Sequence, residues 1–124
     1  MQYDTFGRHI IADAWGIDFN KINDLEFLKF HMKEAANVSG ATVLSVEGQA
    51  FSPVGATVMV VLSESHLSIH TYPERGFAAI DGYTCGNQID PKVAINYLVK
   101  ILQPKNVYMK KIVRGTGELI ISSG

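Results

Sequence analysis

The run Ser63-Glu64-Ser65-His66-Leu67-Ser68-Ile69-His70 sets a serine hydroxyl directly after an acidic residue, with two imidazoles close behind. The Ser65 hydroxyl can attack the Glu64 carbonyl just before it, and a nearby base can then help to cut the chain there. Histidine serves most often as that base, and both His66 and His70 are candidates. Strand geometry separates them. In an extended strand Ser65, Leu67, Ile69 and Thr71 share one face, while His66, Ser68, His70 and Tyr72 share the other. His70 then does not face its own Ser65. Either the chain kinks at Ser65, or His70 serves a serine on another subunit, which implies a dimer with shared active sites. The same residues also suit an ordinary strand and turn, and spacing alone does not decide between the two. The single cysteine, Cys85, stands in Thr84-Cys85-Gly86 at the expected end of a strand, where loops carry function. A lone thiol is otherwise a small core residue.

Patterning predicts the elements that must position these groups. A strand is expected from Arg8 to Ala14. Leu25, Leu28, Met32 and Ala35/Ala36 recur at spacings of three and four, with Phe27 and His31 beside the stripe, which predicts a helix over Asp24–Ser39. Asp24 is its N-cap and Gly40 its stop. Thr42–Ala50 reads as a strand with Leu44 and Val46 on one face, and Val43 and Ser45 on the other. Ser52-Pro53-Val54-Gly55 is a turn. Ala56–Leu62 is almost continuously apolar and is expected to be a central strand buried on both faces. Strands over Leu67–Tyr72 and Phe77–Tyr83 flank a turn at Pro73-Glu74-Arg75-Gly76. Asp90 and Pro91 open a second helix, which presents Val93, Ile95, Leu98, Ile101 and Leu102 and ends before Pro104. Short strands over Asn106–Val113 and Glu118–Ile121 finish the chain. The order β-α-β-β-β-β-α-β-β predicts an α+β fold: a two-layer α/β sandwich with helices packed on one face of an antiparallel sheet.

Composition bounds the function. A chain of 124 residues, close to half apolar, suits one domain with one core. The formal net charge of −1 argues against nucleic acid or an anionic membrane as the main partner. One cysteine can form neither an internal disulfide nor a cysteine-based metal site. The N-terminus lacks a basic region followed by an apolar run, so no secretory signal is expected. No stretch approaches the ~20 apolar residues of a membrane-spanning helix. The expectation is a soluble cytoplasmic protein.

Ser63 to His70, taken with Gly7-Arg8-His9, Pro73-Glu74 and Thr84-Cys85-Gly86, resembles the short prokaryotic pyruvoyl-dependent S-adenosylmethionine decarboxylase proenzymes over nearly the whole chain. The resemblance implies an inactive precursor, residues 1–124, that cuts itself into a β chain (1–64) and an α chain (65–124). Ser65 would attack the Glu64 carbonyl, and elimination would leave a pyruvoyl group at position 65 as the covalent cofactor. That group would form a Schiff base with the substrate's amine and act as the electron sink for decarboxylation, the role that pyridoxal phosphate plays elsewhere. No metal is implied. By the same resemblance His70 assists processing and Thr57 supports it, standing where the family more often has serine. Cys85 returns a proton to the substrate carbon. Phe51, Tyr72 and Glu74 match positions that bind the sulfonium, the adenine and the ribose, with Tyr72 where a tryptophan or phenylalanine is more familiar. The implied product is decarboxylated S-adenosylmethionine for spermidine synthesis, made by a homodimer in which Ser65 and Cys85 come from one subunit and Phe51, Thr57, His70 and Glu74 from the other. Rival readings are the same machinery acting on arginine or ornithine, and a non-processing paralogue that only binds a ligand or a partner.

Overall fold

The computed structural model describes residues 4–124. Strands β1 (Gly7–Trp15), β2 (Val43–Ala50), β3 (Ala56–Leu62), β4 (Ser65–Tyr72), β5 (Phe77–Cys85), β6 (Asn106–Arg114) and β7 (Ile120–Ser123) form one sheet in the order β2-β3-β4-β5-β1-β6-β7. Every neighbouring pair is antiparallel. Helices α1 (Phe19–Ile22), α2 (Leu25–Val38) and α3 (Pro91–Leu102) complete the fold. Helix α2 packs over β2, β3 and β4, and α3 packs over β5 and β1. The expected two-layer sandwich is present.

Both long helices start as their sequences predict. The Asp24 carboxylate accepts from the Phe27 amide at 3.1 Å, and that of Asp90 accepts from the Lys92 amide at 3.0 Å. Pro91 follows Asp90 at a position where no amide hydrogen is needed. Gly40 ends α2 because it can take φ +83°. There the Gly40 amide reaches the Asn37 carbonyl and the Ala41 amide reaches that of Ala36, closing a Schellman motif. The stripe Leu28, Met32, Ala35 and Ala36 is buried, together with Ile95, Leu98 and Leu102 of α3. These side chains meet Ile10, Val58, Val60, Leu67, Ile69 and Ile80 from the covered face of the sheet.

Four expectations need correction. Strand β3 is buried on one face only, for Met59 and Val61 are 37% and 42% exposed. The helices lie on one side, so an apolar run that resembles a doubly covered strand has a bare face. In β2 the register shifts between Val43 and Ser45. This bulge inserts one residue and breaks the alternation. Val43 and Val46 both pack on the core, and Leu44 points away, 62% exposed. Val93 on α3 is also exposed, and the last strand is Ile120–Ser123 with Leu119, Ile120 and Ile121 exposed. One short element, α1 with four residues, had no periodicity to announce it, while the turn expected at Pro73-Glu74-Arg75-Gly76 is present as a 3₁₀ turn over Pro73–Arg75 ended by left-handed Gly76.

Candidate active site

Residues Ser63 and Glu64 form the two-residue turn between β3 and β4. The Glu64 carboxylate is tied down by the Thr42 amide at 3.0 Å and the Thr42 hydroxyl at 3.4 Å. The Glu64 carbonyl accepts from the Cys85 amide at 2.9 Å. A donor fixed on that oxygen polarises the carbonyl and faces the charge that develops when a nucleophile adds to it. Ser65 comes next with φ +137°, a conformation that L-residues rarely adopt. Backbone strain of this kind is typically worth about 1–3 kcal/mol and collects at functional positions. Ser65 nonetheless stays in register with Leu62 and Thr84, so β4 does not bend back to bring His70 to its own Ser65. Cys85 is exposed. It lines a cleft of about 540 Å³ with Glu64, Thr42 and Gly86.

The Cys85 edge is built from β5, β1 and the loop that follows Cys85. Cys85 pairs with Gly7 of β1, and Gly7 leaves room for the Tyr83 ring, whose atoms would lie 2.7 Å from any Cβ there. Arg8 donates to the carbonyls of Asn87 and Ile89 at 3.1 and 2.9 Å and so pins the loop that follows Cys85. The Thr84 hydroxyl donates to the same Ile89 carbonyl at 2.8 Å.

His70 stands elsewhere. Alternation holds along β4: Leu67, Ile69 and Thr71 are buried under the helices, while His70 and Tyr72 lie on the open side. His70 is five residues beyond Ser65, roughly 16 Å along a strand. It pairs with Thr57 of β3, and Thr57 Oγ1 lies 3.1 Å from His70 Nδ1. Phe51, Thr57, His70, Tyr72 and Glu74 line a second cleft of about 380 Å³. The structure thus brings the sequence-predicted residues together in two groups: Glu64, Ser65 and Cys85 at one end of β4, and the other five at the opposite end. The strain at Ser65 does not join them within one chain.

A third group was not foreseen. In the middle of the open face Asp81 accepts from His9 Nε2 at 2.7 Å, from His66 Nε2 at 2.9 Å and from the Ser68 hydroxyl. Burial pushes the Asp81 pKa up, but the bonds from Ser68, His66 and His9 outweigh it and hold the pKa below the usual carboxylate value. One sequence signal was available: Asp81 is the lone charge in the apolar strand Phe77–Cys85. His66 is therefore held on Asp81 instead of facing solvent freely. It belongs to this network.

Comparison with known proteins fits this arrangement. Residues 8–115 match the family model described as S-adenosylmethionine decarboxylase. An S-adenosylmethionine decarboxylase proenzyme from Brevibacillus brevis is 65% identical over 96% of this chain and 90% of its own length. An S-adenosylmethionine decarboxylase proenzyme 2 from Bacillus cereus is 55% identical over 97% of this chain and 98% of its own length. The crystal structure of the adenosylmethionine decarboxylase from Aquifex aeolicus superposes with a TM-score of 0.86 at 38% identity, over 93% of this chain and 95% of that one. A Trypanosoma brucei AdoMetDC monomer shares the fold at 15% identity, with a TM-score of 0.59 over 86% of this chain and 45% of that one. The chain belongs to the S-adenosylmethionine decarboxylase family.

Proposed function

We propose that the chain is a self-processing proenzyme that cuts itself between Glu64 and Ser65 and then decarboxylates S-adenosylmethionine, supplying decarboxylated S-adenosylmethionine for spermidine synthesis in the cytoplasm. The observation that carries this reading is the strained Ser65, at φ +137°, directly after a carbonyl held by the Cys85 amide. Attack of the Ser65 oxygen on the Glu64 carbonyl carbon exchanges the peptide bond for an ester and frees the nitrogen of residue 65. Removal of the Ser65 α-proton then expels the Glu64 carboxylate and leaves dehydroalanine. Its imine tautomer is hydrolysed by water, and ammonia departs. Position 65 becomes planar and loses its nitrogen, so the strain at φ has no counterpart in the product. The residues therefore fit a pyruvoyl group at position 65.

When present, the pyruvoyl group supplies the electron sink that lets the substrate carboxylate leave as CO₂. The protein's own groups do the rest. Cys85, exposed in the cleft that Glu64 also lines, holds the proton that the substrate carbon takes up. Thr57 occupies Nδ1 of His70 and leaves Nε2 to take the Ser65 α-proton. Phe51 and Tyr72 offer aromatic faces to a sulfonium and an adenine, and Glu74 can accept from ribose hydroxyls.

The distance between the two groups supports a site completed by a second chain. The open face carries Ile11, Trp15, Met59 and Val61, all exposed. Two such faces stacked about a two-fold axis make a self-complementary interface, and the sheets would lie about 10 Å apart. Each Ser65 and Cys85 then meets Phe51, Thr57, His70, Tyr72 and Glu74 of the other copy. A mass spectrum of the purified protein followed by a CO₂-release assay tests the proposal. The expected result is two fragments split after Glu64, the α chain blocked by pyruvoyl, with turnover on S-adenosylmethionine. A persistent full-length chain overturns self-processing, and turnover on arginine alone overturns the substrate.

A further inference from the structure

Cleavage before Ser65 removes more than one bond, and the strand it frees must still present position 65 to Cys85. The turn Ser63-Glu64 is the covalent tie between β3 and the start of β4. The hydrogen bond from the Cys85 amide ends on the Glu64 carbonyl, which leaves with the β chain. Position 65 itself has no amide hydrogen once it is a keto acid. Of the first three full residues of the new terminus, His66 and Ser68 pair with Tyr83 and Asp81 of β5. Both side chains bind the same carboxylate, that of Asp81.

We propose that Asp81 is a positioning residue: backed by His9 and Arg114, it grips His66 and Ser68 and holds the first residues of the α chain in register after the cut. The inference rests on the self-processing reading above. Proton placement supports it. Arg114 lies 3.2 Å from His9 Nδ1, and a guanidinium can only donate, so that nitrogen accepts. His9 Nε2 then carries the hydrogen, and it points at Asp81 at 2.7 Å. Arg114 also stacks over the Tyr83 ring, 5.0 Å from its centre, which fixes the guanidinium. Four groups thus feed one carboxylate in a single direction: Arg114 through His9, and His66 and Ser68 directly.

The spacing also admits a metal, for ligand atoms of His9, His66 and Asp81 all lie within 4.8 Å of one another. A metal on Nε2 of His9 would force its hydrogen to Nδ1, against the Arg114 donor. Both Asp81 oxygens are already engaged by hydrogen. The proton network is the better fit.

Asp81 is coupled to the chemistry through the backbone. It lies on β5, the strand that ends in Cys85, and it holds β4, the strand that begins with position 65. Loss of the grip lets the two reacting ends drift, and a misplacement of about 1 Å can cost roughly 100-fold in rate.

The test compares wild type with Asp81→Asn and Ser68→Ala, each made also in an uncleaved Ser65→Ala background. Intact mass reads the cut, hydrogen exchange reads residues 66–72, and steady-state kinetics separate kcat from KM. The expected result is normal cleavage, about 10-fold or more faster exchange over 66–72 in the cleaved variants only, and kcat lowered roughly 10- to 100-fold at nearly constant KM. Ser68→Thr, which keeps the hydroxyl, restores both readings. Cleaved variants with wild-type exchange and kcat overturn the proposal, as does equal loosening in the uncleaved background, which marks a general packing role. If Asp81→Asn yields no folded protein, Ser68→Ala alone decides, because it removes one arm and leaves the carboxylate. Stoichiometric zinc binding that needs Asp81 overturns the network in favour of a metal site. An uncleaved wild type, seen in the same mass spectra, instead defeats the self-processing reading and takes this proposal with it.

Discussion

The two faces of the sheet are built from alternate residues of the same strands, yet they serve different ends. Under the helices, Ile10, Val58, Val60, Leu67 and Ile69 are buried in an apolar layer. On the opposite side stand Ile11, Met59, Val61 and Trp15, with the network of His9, His66, Ser68 and Asp81 between them. The covered face folds one chain. The open face mixes apolar area with directed polar groups, the composition that the proposed pairing of two chains calls for. Burial separates stability from chemistry: of the proposed catalytic groups, His70 and Cys85 are exposed.

The largest effect that could break this division is complementation across the open face. Ser65→Ala and His70→Ala are each expected to lack pyruvoyl-dependent decarboxylation when alone. Co-expressed, they form mixed dimers in which one site is whole, so cleavage and CO₂ release return. Their continued absence in verified mixed dimers would show that each site is completed within one chain. Next in size is Cys85→Ala. It should leave the cut after Glu64 intact and lower turnover by roughly 10²- to 10⁴-fold, the usual worth of a positioned acid. Wild-type turnover would remove Cys85 from proton delivery.

A paired comparison sharpens the contrast further. Leu67→Ala, on the covered face, is expected to lower unfolding stability by about 2–5 kcal/mol while the protein remains dimeric. Val61→Glu, on the open face, is expected to yield a folded monomer by sedimentation, with cleavage stalled for want of the partner's His70. A dimeric, fully cleaved Val61→Glu protein would mean that another surface makes the dimer.

The smallest effect concerns Asp81. Its pKa is depressed in the folded chain, the bonds from Ser68, His66 and His9 prevailing over burial. An Asp in the unfolded chain titrates near about 3.9. The carboxylate therefore adds stability that is fully present above that pH and is lost as pH falls through the lower folded value. Asp81→Asn should be less stable than wild type at neutral pH, and the gap should close below about pH 4. A gap that stays constant down to the acid transition would show that the charge contributes nothing to the fold.

The readable parts of the fold are those with a local physical cause. Capping by Asp24 and Asp90 and the stripe on α2 depend on neighbours within a few residues, and all appear in the structure. The misread parts depend on distant partners. Strand β3 is apolar enough for two covered faces, but the helix count leaves one bare. The bulge in β2 arises from pairing with β3, which no window over Val43–Val46 contains. Asp81 drew no reading from its own segment, because its partners come from β1 and β4.

The sequence alone marked Glu64 and Ser65 as a candidate reacting pair and Cys85 as a candidate thiol, and it set Ser65 and His70 on opposite faces of an unkinked strand, because side chains alternate along a strand. Only the tertiary structure decided that the Cys85 amide holds the Glu64 carbonyl, that Ser65 is strained and that His66 belongs to Asp81. The two contacts join residues 21 and 15 positions apart, and only the pairing of β4 with β5 brings them within hydrogen-bond reach.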